Sequence, residues 1–365
     1  MIPVTKPYLP CREKLDRYID GIYERGWLTN NGPLVQELTR RLEEYLGVEN
    51  LLLVSNGTLA LQIAYRALGI SGEGPCEAIT TPFTYVATAS SLKWEGIDPV
   101  FVDINPDTWC LEPDNIEAAI TSATKAIVPV HVFGNACEVE AIDRIAEHRG
   151  LKVIYDGAHA FGITYNGESL LKYGDATSLS FHATKLFHSI EGGAIIFKHK
   201  EDMERARRMI NFGLVSAEEI VDVGINAKMS EFHAAMGLCV LDEIDENISN
   251  RSNIWHEYYT ALLDNVQLQF RKPHVSCNYS YFPLLLNSDE TVKYLIARLS
   301  AKNIQTRRYF YPSLHAVEEF SNTSNSAAPI SDNISNRILC LPIFSGLSSM
   351  ERELIINIVR EEAKK

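Results

Sequence analysis

The feature that most constrains this 365-residue chain is a regular alternation of short apolar runs with amphipathic segments. The segment that starts at Gly57 places Leu61, Ala64, Tyr65 and Leu68 at helical spacing. Several apolar runs are continuous, as strands are when helices cover both faces of their sheet. In all, seven apolar runs occur, at Leu51–Ser55, Ala78–Thr81, Pro99–Ile104, Lys125–Val132, Lys152–Asp156, Thr177–Phe181 and Ala194–Phe197. Repeated strand–helix–strand units predict an α/β fold with a mostly parallel central sheet and helices on both faces.

The pattern changes towards the C-terminus. The charged segment Asp242–Leu263 is typical of a long helix, and short strands and helices are mixed after it. The segment Ser321–Asn336 is rich in Ser and Asn, which favours a loop. The chain is also longer than one ordinary core requires. We therefore predict a large α/β domain over residues 1–244 and a smaller C-terminal α+β domain over residues 245–365.

Charge and cysteine usage limit the possible partners. A net charge of −13 argues against nucleic acid, so an anionic substrate would need local donors such as backbone N–H groups. The N-terminus lacks the basic and apolar regions of a signal peptide, and no apolar stretch is long enough to span a bilayer. The seven cysteines are scattered and form no CxxC pair, which argues against a disulfide framework and a zinc site. We expect a cytoplasmic protein without a membrane or metal partner.

The first candidate site segment is SNGTLAL, in which Gly57 and Thr58 follow an apolar strand and open an amphipathic helix. Free N–H groups at a helix N-terminus, with a hydroxyl beside them, form an anion cradle, and a glycine lets the backbone approach the anion closely. The alternative is an ordinary strand-to-helix turn in which Thr58 caps the helix. This segment alone does not decide between the two.

Two further segments place chemistry after strand ends. Phe83 and Tyr85 follow one apolar run, where an aromatic ring could stack on a flat ligand, although both could also be core residues. Asp156 and His159 follow another run, VIYD, at the sheet edge where open α/β folds bind ligands. The alternative there is that Asp156 caps a loop and His159 is a hydrogen-bonded, half-buried histidine.

The fourth segment is SFHATK followed by EGGA, with Ser180 and Lys185 between two apolar strands. A lysine held there loses hydration, which lowers its pKa and exposes a nucleophilic amine, whereas a solvated loop lysine would be the ordinary case. Pyridoxal phosphate (PLP) needs a lysine, an acid for its pyridine nitrogen, donors for its phosphate and a wall for its ring. The four segments supply one candidate for each, in an order that fits one sheet. The sequence therefore predicts a PLP enzyme.

These motifs resemble the DegT/DnrJ/EryC1/StrS family of sugar aminotransferases, a branch of the fold-type I PLP enzymes. The resemblance covers nearly the whole chain, from GWLTNNGPLVQELTRRLEEYLGV (Gly26–Val48) through GINAKMSEFHAAMG (Gly224–Gly237) to YFYPSLH (Tyr309–His315). It implies the fold-type I architecture and a PLP-dependent aminotransferase activity.

The resemblance also implies roles around the cofactor ring. Lys185 would hold PLP covalently and then shuttle the proton between the cofactor and the sugar. Asp156 would pair with the pyridine nitrogen, and His159 stands where the family has Gln or His near the ring hydroxyl. Tyr85 stands where an aromatic residue stacks on the ring.

The phosphate end of the cofactor has its own implied residues. Gly57, Thr58 and Ser180 would hold the phosphate within one subunit. Asn226 matches a family asparagine that reaches the phosphate of the neighbouring subunit, which implies a homodimer with shared sites. The alternative for Asn226 is the N-cap of the helix in KMSEFHAAMG.

The run LFHSIEGGA after the lysine is similar to family members that aminate carbon 4 of the sugar. The resemblance implies amino transfer from L-glutamate, through PLP and its aminated form, to the C4 ketone of dTDP-4-dehydro-6-deoxy-D-glucose, in the supply of sugars for O-antigen and lipopolysaccharide. Alternatives are 3-amination or a GDP-linked sugar, and a PLP-binding regulator without turnover. A nucleotide-binding α/β protein without PLP is a further alternative, although GxGxxG and Walker A motifs are absent.

The nucleotide diphosphate would need donors of its own. The candidates are Arg251, Arg307, Arg308, Tyr309 and Tyr311. The pair Arg307-Arg308 could equally be two solvated charges, so the sequence does not choose among these residues.

Overall fold

The computed structural model describes residues 1–71, 74–321 and 327–363, and seven of its strands form one central sheet. The first nine strands in chain order are β1 (Leu51–Val54), β2 (Glu77–Thr80), β3 (Asp98–Phe101), β4 (Thr124–Val128), β5 (Lys152–Asp156), β6 (Thr164–Tyr165), β7 (Glu168–Ser169), β8 (Ala176–Ser180) and β9 (Gly193–Phe197). The sheet order is β1-β9-β8-β5-β4-β2-β3, while β6 and β7 form a separate hairpin. Six of the seven strands run in the same direction, and β9 runs antiparallel to them between β1 and β8. The predicted, mostly parallel sheet is confirmed.

Helices cover both faces of the sheet. The helices are α1 (Arg12–Arg25), α2 (Pro33–Leu46), α3 (Gly57–Ala67), α4 (Val86–Trp94), α5 (Ile116–Ala119), α6 (Val139–Arg149), α7 (Lys200–Met209), α8 (Glu231–Asp242), α9 (Ile244–Leu262), α10 (Asp289–Ser300), α11 (Glu318–Ser321), α12 (Pro329–Arg337) and α13 (Ser349–Ala363). Along β1, Leu51 and Leu53 enter one apolar core, whereas Leu52 and Val54 enter the other. Successive strand side chains point to opposite faces, so both faces are buried and the run reads as continuously apolar. No described helix has the length and apolar character needed to cross a membrane.

A second, smaller sheet lies in the C-terminal part of the chain. It contains β10 (Gln267–Leu268), β11 (Phe282–Leu285) and β12 (Ile338–Leu341), all antiparallel. A separate apolar core joins this sheet to α9, α10 and α13. The N-terminus reaches it too, because the Ile2 N–H donates to the Asn303 carbonyl at 2.8 Å. We retain the division into residues 1–244 and 245–365 as a proposal.

The prediction of a loop over Ser321–Asn336 is wrong for most of the residues that the structure describes there, because they form α12. Pro329 occupies the first turn of α12, a position at which its missing N–H is not needed. The N–H groups of Ile330 and Ser331 donate to the Asp103 carboxylate at 2.8 and 2.9 Å. A carboxylate distant in sequence thus caps the helix, which local composition could not reveal. Residues 322–326 of the predicted loop lie outside the described residues.

Candidate active site

A cleft with a volume of about 260 Å³ opens where β5 and β8 end and α3 begins. Ligands in open α/β folds bind at this edge, beyond the carboxyl ends of parallel strands. Seven of the eight predicted site residues line the cleft, namely Gly57, Thr58, Tyr85, Asp156, His159, Ser180 and Lys185. The eighth, Asn226, lies elsewhere.

The anion cradle forms where α3 starts beside β8. Asn56, not Thr58, caps α3, because its side-chain oxygen accepts the Leu59 N–H at 2.9 Å. The Thr58 side chain is exposed at the cleft. A Cβ on Gly57 would lie 2.8 Å from the Ser180 Cβ, so only glycine lets the helix start approach β8 this closely. Backbone N–H groups and hydroxyls converge there as a phosphate would require.

We expect Gly57→Ala to weaken PLP binding by about tenfold or more, because the added methyl group must displace Ser180 or the start of α3. The matched control is Gly21→Ala on α1, where a Cβ meets only the flexible end of Arg25. Titration of each apo-protein with PLP, followed by visible absorbance, measures the dissociation constants. Equal affinities for the two variants would contradict the cradle.

Asp156 ends β5 as a buried acid without a cationic partner. Its side chain is 6 % exposed. One carboxylate oxygen accepts the Thr88 hydroxyl at 2.7 Å, and the other accepts the Ala158 N–H at 3.1 Å. No lysine or arginine pairs with it among the residues that the structure describes. A buried carboxylate that lacks a counter-charge and faces a cleft suits a ligand with a protonated ring nitrogen.

His159 is a neutral imidazole in an aromatic cluster. Its Nδ1 accepts the Phe133 N–H at 3.2 Å, which leaves the ring proton on Nε2. Burial, with the positive charge of Lys185 beside it, lowers the pKa of His159 well below its ordinary value. The rings of Phe133 and Phe310 are parallel to the imidazole within 10°. The arrangement leaves Nε2–H as a donor in a residue that lines the cleft.

Lys185 projects into the cleft with its amine held by a tyrosine. Its Nζ donates to the Tyr281 hydroxyl at 3.2 Å. Burial lowers the pKa of Lys185 from 10.5 to about 8, although the negative charge of Asp156 opposes this effect. Sequence reasoning missed Tyr281, since it lies 96 positions further along the chain and nothing in its local pattern marks it.

The lowered pKa of Lys185 predicts the pH dependence of cofactor capture. Only the neutral amine is nucleophilic, and its fraction rises as pH increases through about 8, well below the ordinary lysine range. We therefore expect the rate of PLP uptake by the apo-protein to rise from pH 7 and to level off above about pH 8.5. Stopped-flow absorbance tests this. A rate that continues to rise towards pH 10.5 would show an unperturbed lysine.

Tyr85 and Phe83 differ in their burial. Tyr85 is 52 % exposed and lines the cleft, whereas Phe83 is fully buried in the core. The alternative that both are core residues is therefore wrong for Tyr85. Its exposed ring is available as a wall for a flat ligand.

Asn226 is exposed and lies outside the cleft of its own chain. It makes an isolated β-bridge with Asn211. It does not cap α8, because Ser230 does so by accepting the His233 N–H. The role of Asn226 towards a neighbouring subunit stays a prediction.

A phosphate cradle, a buried acid and a lysine of lowered pKa, together at this edge of a mostly parallel sheet, define a fold-type I PLP-dependent transferase. Residues 11–360 match the DegT/DnrJ/EryC1/StrS aminotransferase family, and the chain belongs to that family.

Similarity to known proteins extends over the full length of the chain. The chain is 43% identical, over 98% of both chains, to dTDP-4-amino-4,6-dideoxy-D-glucose transaminase of Shigella dysenteriae. The crystal structure of DesI in the presence of its TDP-sugar product superposes with a TM-score of 0.94 at 32% identity, covering 100% of this chain and 93% of DesI. The PLP form of Spr1654 from Streptococcus pneumoniae gives 0.92 at 26% identity, covering 100% and 98% of the two chains. These likenesses agree with the family assignment.

Proposed function

We propose that this enzyme transfers the amino group of L-glutamate to the C4 ketone of dTDP-4-dehydro-6-deoxy-D-glucose, giving dTDP-4-amino-4,6-dideoxy-D-glucose. The observation that carries the proposal is Lys185, whose amine lies in one cleft with the unpaired Asp156 and the cradle at Gly57. The choice of sugar is supported by the 43% identity with the Shigella dysenteriae transaminase over the full length of both chains.

PLP, when bound, supplies an electron sink that stabilises negative charge on the carbon next to the nitrogen. The residues of the chain do the rest. Asp156 would keep the pyridine nitrogen protonated, and Thr88 holds the carboxylate in position through its 2.7 Å hydrogen bond. Lys185 would remove the proton from the α-carbon of L-glutamate in the first half of the reaction and deliver a proton to C4 of the sugar in the second, which suits an amine with a pKa of about 8. His159 lines the cleft with Nε2–H as a donor and would donate it to the ring oxygen of the cofactor.

We also propose a homodimer in which Asn226 reaches the phosphate site of the partner. Its surroundings support this, because large apolar side chains near it in sequence are exposed rather than packed. They are Phe212, Val215, Ile220, Val221, Val223 and Ile225. A second copy of the chain would cover them.

A cytoplasmic location and a role in O-antigen and lipopolysaccharide supply complete the proposal. All seven cysteines carry free thiols, which suits a reducing compartment. A deoxyamino sugar linked to a nucleotide is an activated building block for a polysaccharide.

A turnover assay with two nucleotides tests the proposed function. The holoenzyme is incubated with L-glutamate and either dTDP-4-dehydro-6-deoxy-D-glucose or its GDP counterpart, and products are identified by mass spectrometry and NMR. We expect amination at C4 of the dTDP sugar and little reaction with the GDP sugar. A preference for the GDP sugar would favour that alternative within the family. Turnover only with the isomeric 3-keto sugar, dTDP-3-dehydro-6-deoxy-D-glucose, supplied as a third substrate, would favour 3-amination. Absence of turnover with all three sugars, despite bound PLP, would favour a regulator.

A further inference from the structure

A guanidinium without an acidic partner faces the cleft beside Lys185. The Arg307 side chain is exposed and lines the cleft. No ion pair of 4.0 Å or less joins it to a carboxylate in residues 1–71, 74–321 and 327–363. Its charge reaches Lys185, since it adds to the effect of burial in lowering the pKa of that amine. An unpaired cation at an active site is available for an anionic ligand.

The fold fixes the direction of this side chain. The backbone of Arg307 pairs with Cys340 of β12, with N–H···O distances of 3.3 and 2.8 Å. Its guanidinium lies 4.7 Å from the centre of the Tyr309 ring. The neighbouring Arg308 points the other way, as successive residues of an extended chain do, and pairs with Asp289 at 2.9 Å. The two arginines are therefore not a pair of solvated charges, and only Arg307 is available to a ligand.

Another candidate arginine, Arg251, is buried and hydrogen-bonded within the protein. Arg251 is 2 % exposed, and its guanidinium donates to the Asn247 side chain and to the carbonyls of Ser280 and Ile343. Among the described residues that line the cleft, Lys185 and Arg307 are the only lysine or arginine side chains. An anion that enters the cleft therefore meets Arg307.

On the basis of the proposed function, we infer that Arg307 binds the α-carboxylate of the amino-acid donor. The donor must bring its amino nitrogen to the place where the Lys185 amine lies. Its α-carboxylate is attached to the carbon that carries this nitrogen, so it lies within the cleft that Lys185 and Arg307 both line. The diphosphate of a nucleotide sugar, by contrast, is separated from carbon 4 by the sugar ring. Arg307 thus selects the donor, and its planar fork suits a carboxylate.

Binding of a donor analogue that cannot turn over tests this inference. We would titrate the holoenzyme with 2-methyl-L-glutamate, which has no hydrogen on its α-carbon, and follow visible absorbance. We expect Arg307→Met to weaken binding by about 10- to 100-fold, the usual range for a lost charge-assisted hydrogen bond. Arg307→Lys should recover part of the loss, because it restores the charge without the fork. The control is Arg40→Met on α2, an exposed arginine paired with Glu37, which should bind like wild type.

Calorimetric titration with dTDP separates the two possible anions. We expect its affinity to be the same in wild type and Arg307→Met. A loss confined to dTDP, an equal loss for both probes, or no loss for either would overturn the inference. If wild type itself gives no spectral response to L-glutamate or to the analogue, the proposed function fails instead, and the two failures are therefore distinguishable.

Discussion

Replacement of Lys185 by alanine is expected to abolish covalent cofactor binding and to reduce transamination by at least about 10⁴-fold. General acid–base catalysis contributes roughly 10²- to 10⁴-fold, and this variant also loses the nucleophile that holds the cofactor. The assay measures turnover with L-glutamate and the dTDP keto-sugar. The control is Lys302→Ala, which replaces an exposed lysine outside the cleft and should be as active as wild type.

A second readout distinguishes a missing base from a damaged fold. An exogenous small amine should restore part of the activity of Lys185→Ala, because it can enter the space that the side chain leaves. The thermal unfolding midpoint should stay near that of wild type. Turnover of Lys185→Ala within about tenfold of wild type would remove this residue from the chemistry.

Asp156→Asn is expected to reduce transamination by about 10²- to 10³-fold, the range seen when an electrostatic stabiliser is removed from an active site. A neutral amide cannot keep the pyridine nitrogen protonated, so the electron sink weakens. The amide can still bond with Thr88 and Ala158, so the fold should be retained. Single-turnover kinetics with L-glutamate deuterated at its α-carbon measures the effect, and the isotope effect should increase as proton removal becomes slower.

Thr88→Val provides the graded comparison. It removes the hydroxyl that donates to Asp156 and leaves the charge in place. We expect a loss of about tenfold, consistent with one hydrogen bond to a charged group. If Asp156→Asn were as active as wild type, the charge of Asp156 would have no part in the chemistry. Its role would then be structural, as the acceptor of the Ala158 N–H in the turn after β5.

Much of the fold could be predicted from the sequence because the strands are buried on both faces. Continuous apolar runs such as Leu51–Ser55 and Lys152–Asp156 mark strands that the structure places within a residue or two. Polar residues directly after such runs lie at one edge of a parallel sheet, which is why Asp156 and Lys185 could be found. The order of the strands in the sheet is harder to predict from the sequence, because β1 pairs with β9, which lies much later in the chain.

The parts that could not be predicted depend on contacts between distant segments. Tyr281 reaches the Lys185 amine from just before β11, and Thr88 reaches Asp156 from α4. The opposite directions of Arg307 and Arg308 follow from pairing with β12, which sequence alone does not reveal. Each of these contacts depends on tertiary structure, and none leaves a periodic or local signal.

The assignment of Lys185 as the residue that binds PLP covalently is tested most directly by chemical trapping. The purified protein is loaded with PLP, reduced with sodium borohydride, digested and analysed by mass spectrometry, with and without prior addition of L-glutamate. We expect a pyridoxyl group on Lys185, at one site per chain, and its loss when glutamate is added first. A modified lysine elsewhere, or no adduct in a sample that has taken up PLP, would contradict the assignment of Lys185 and with it the proposed aminotransferase chemistry.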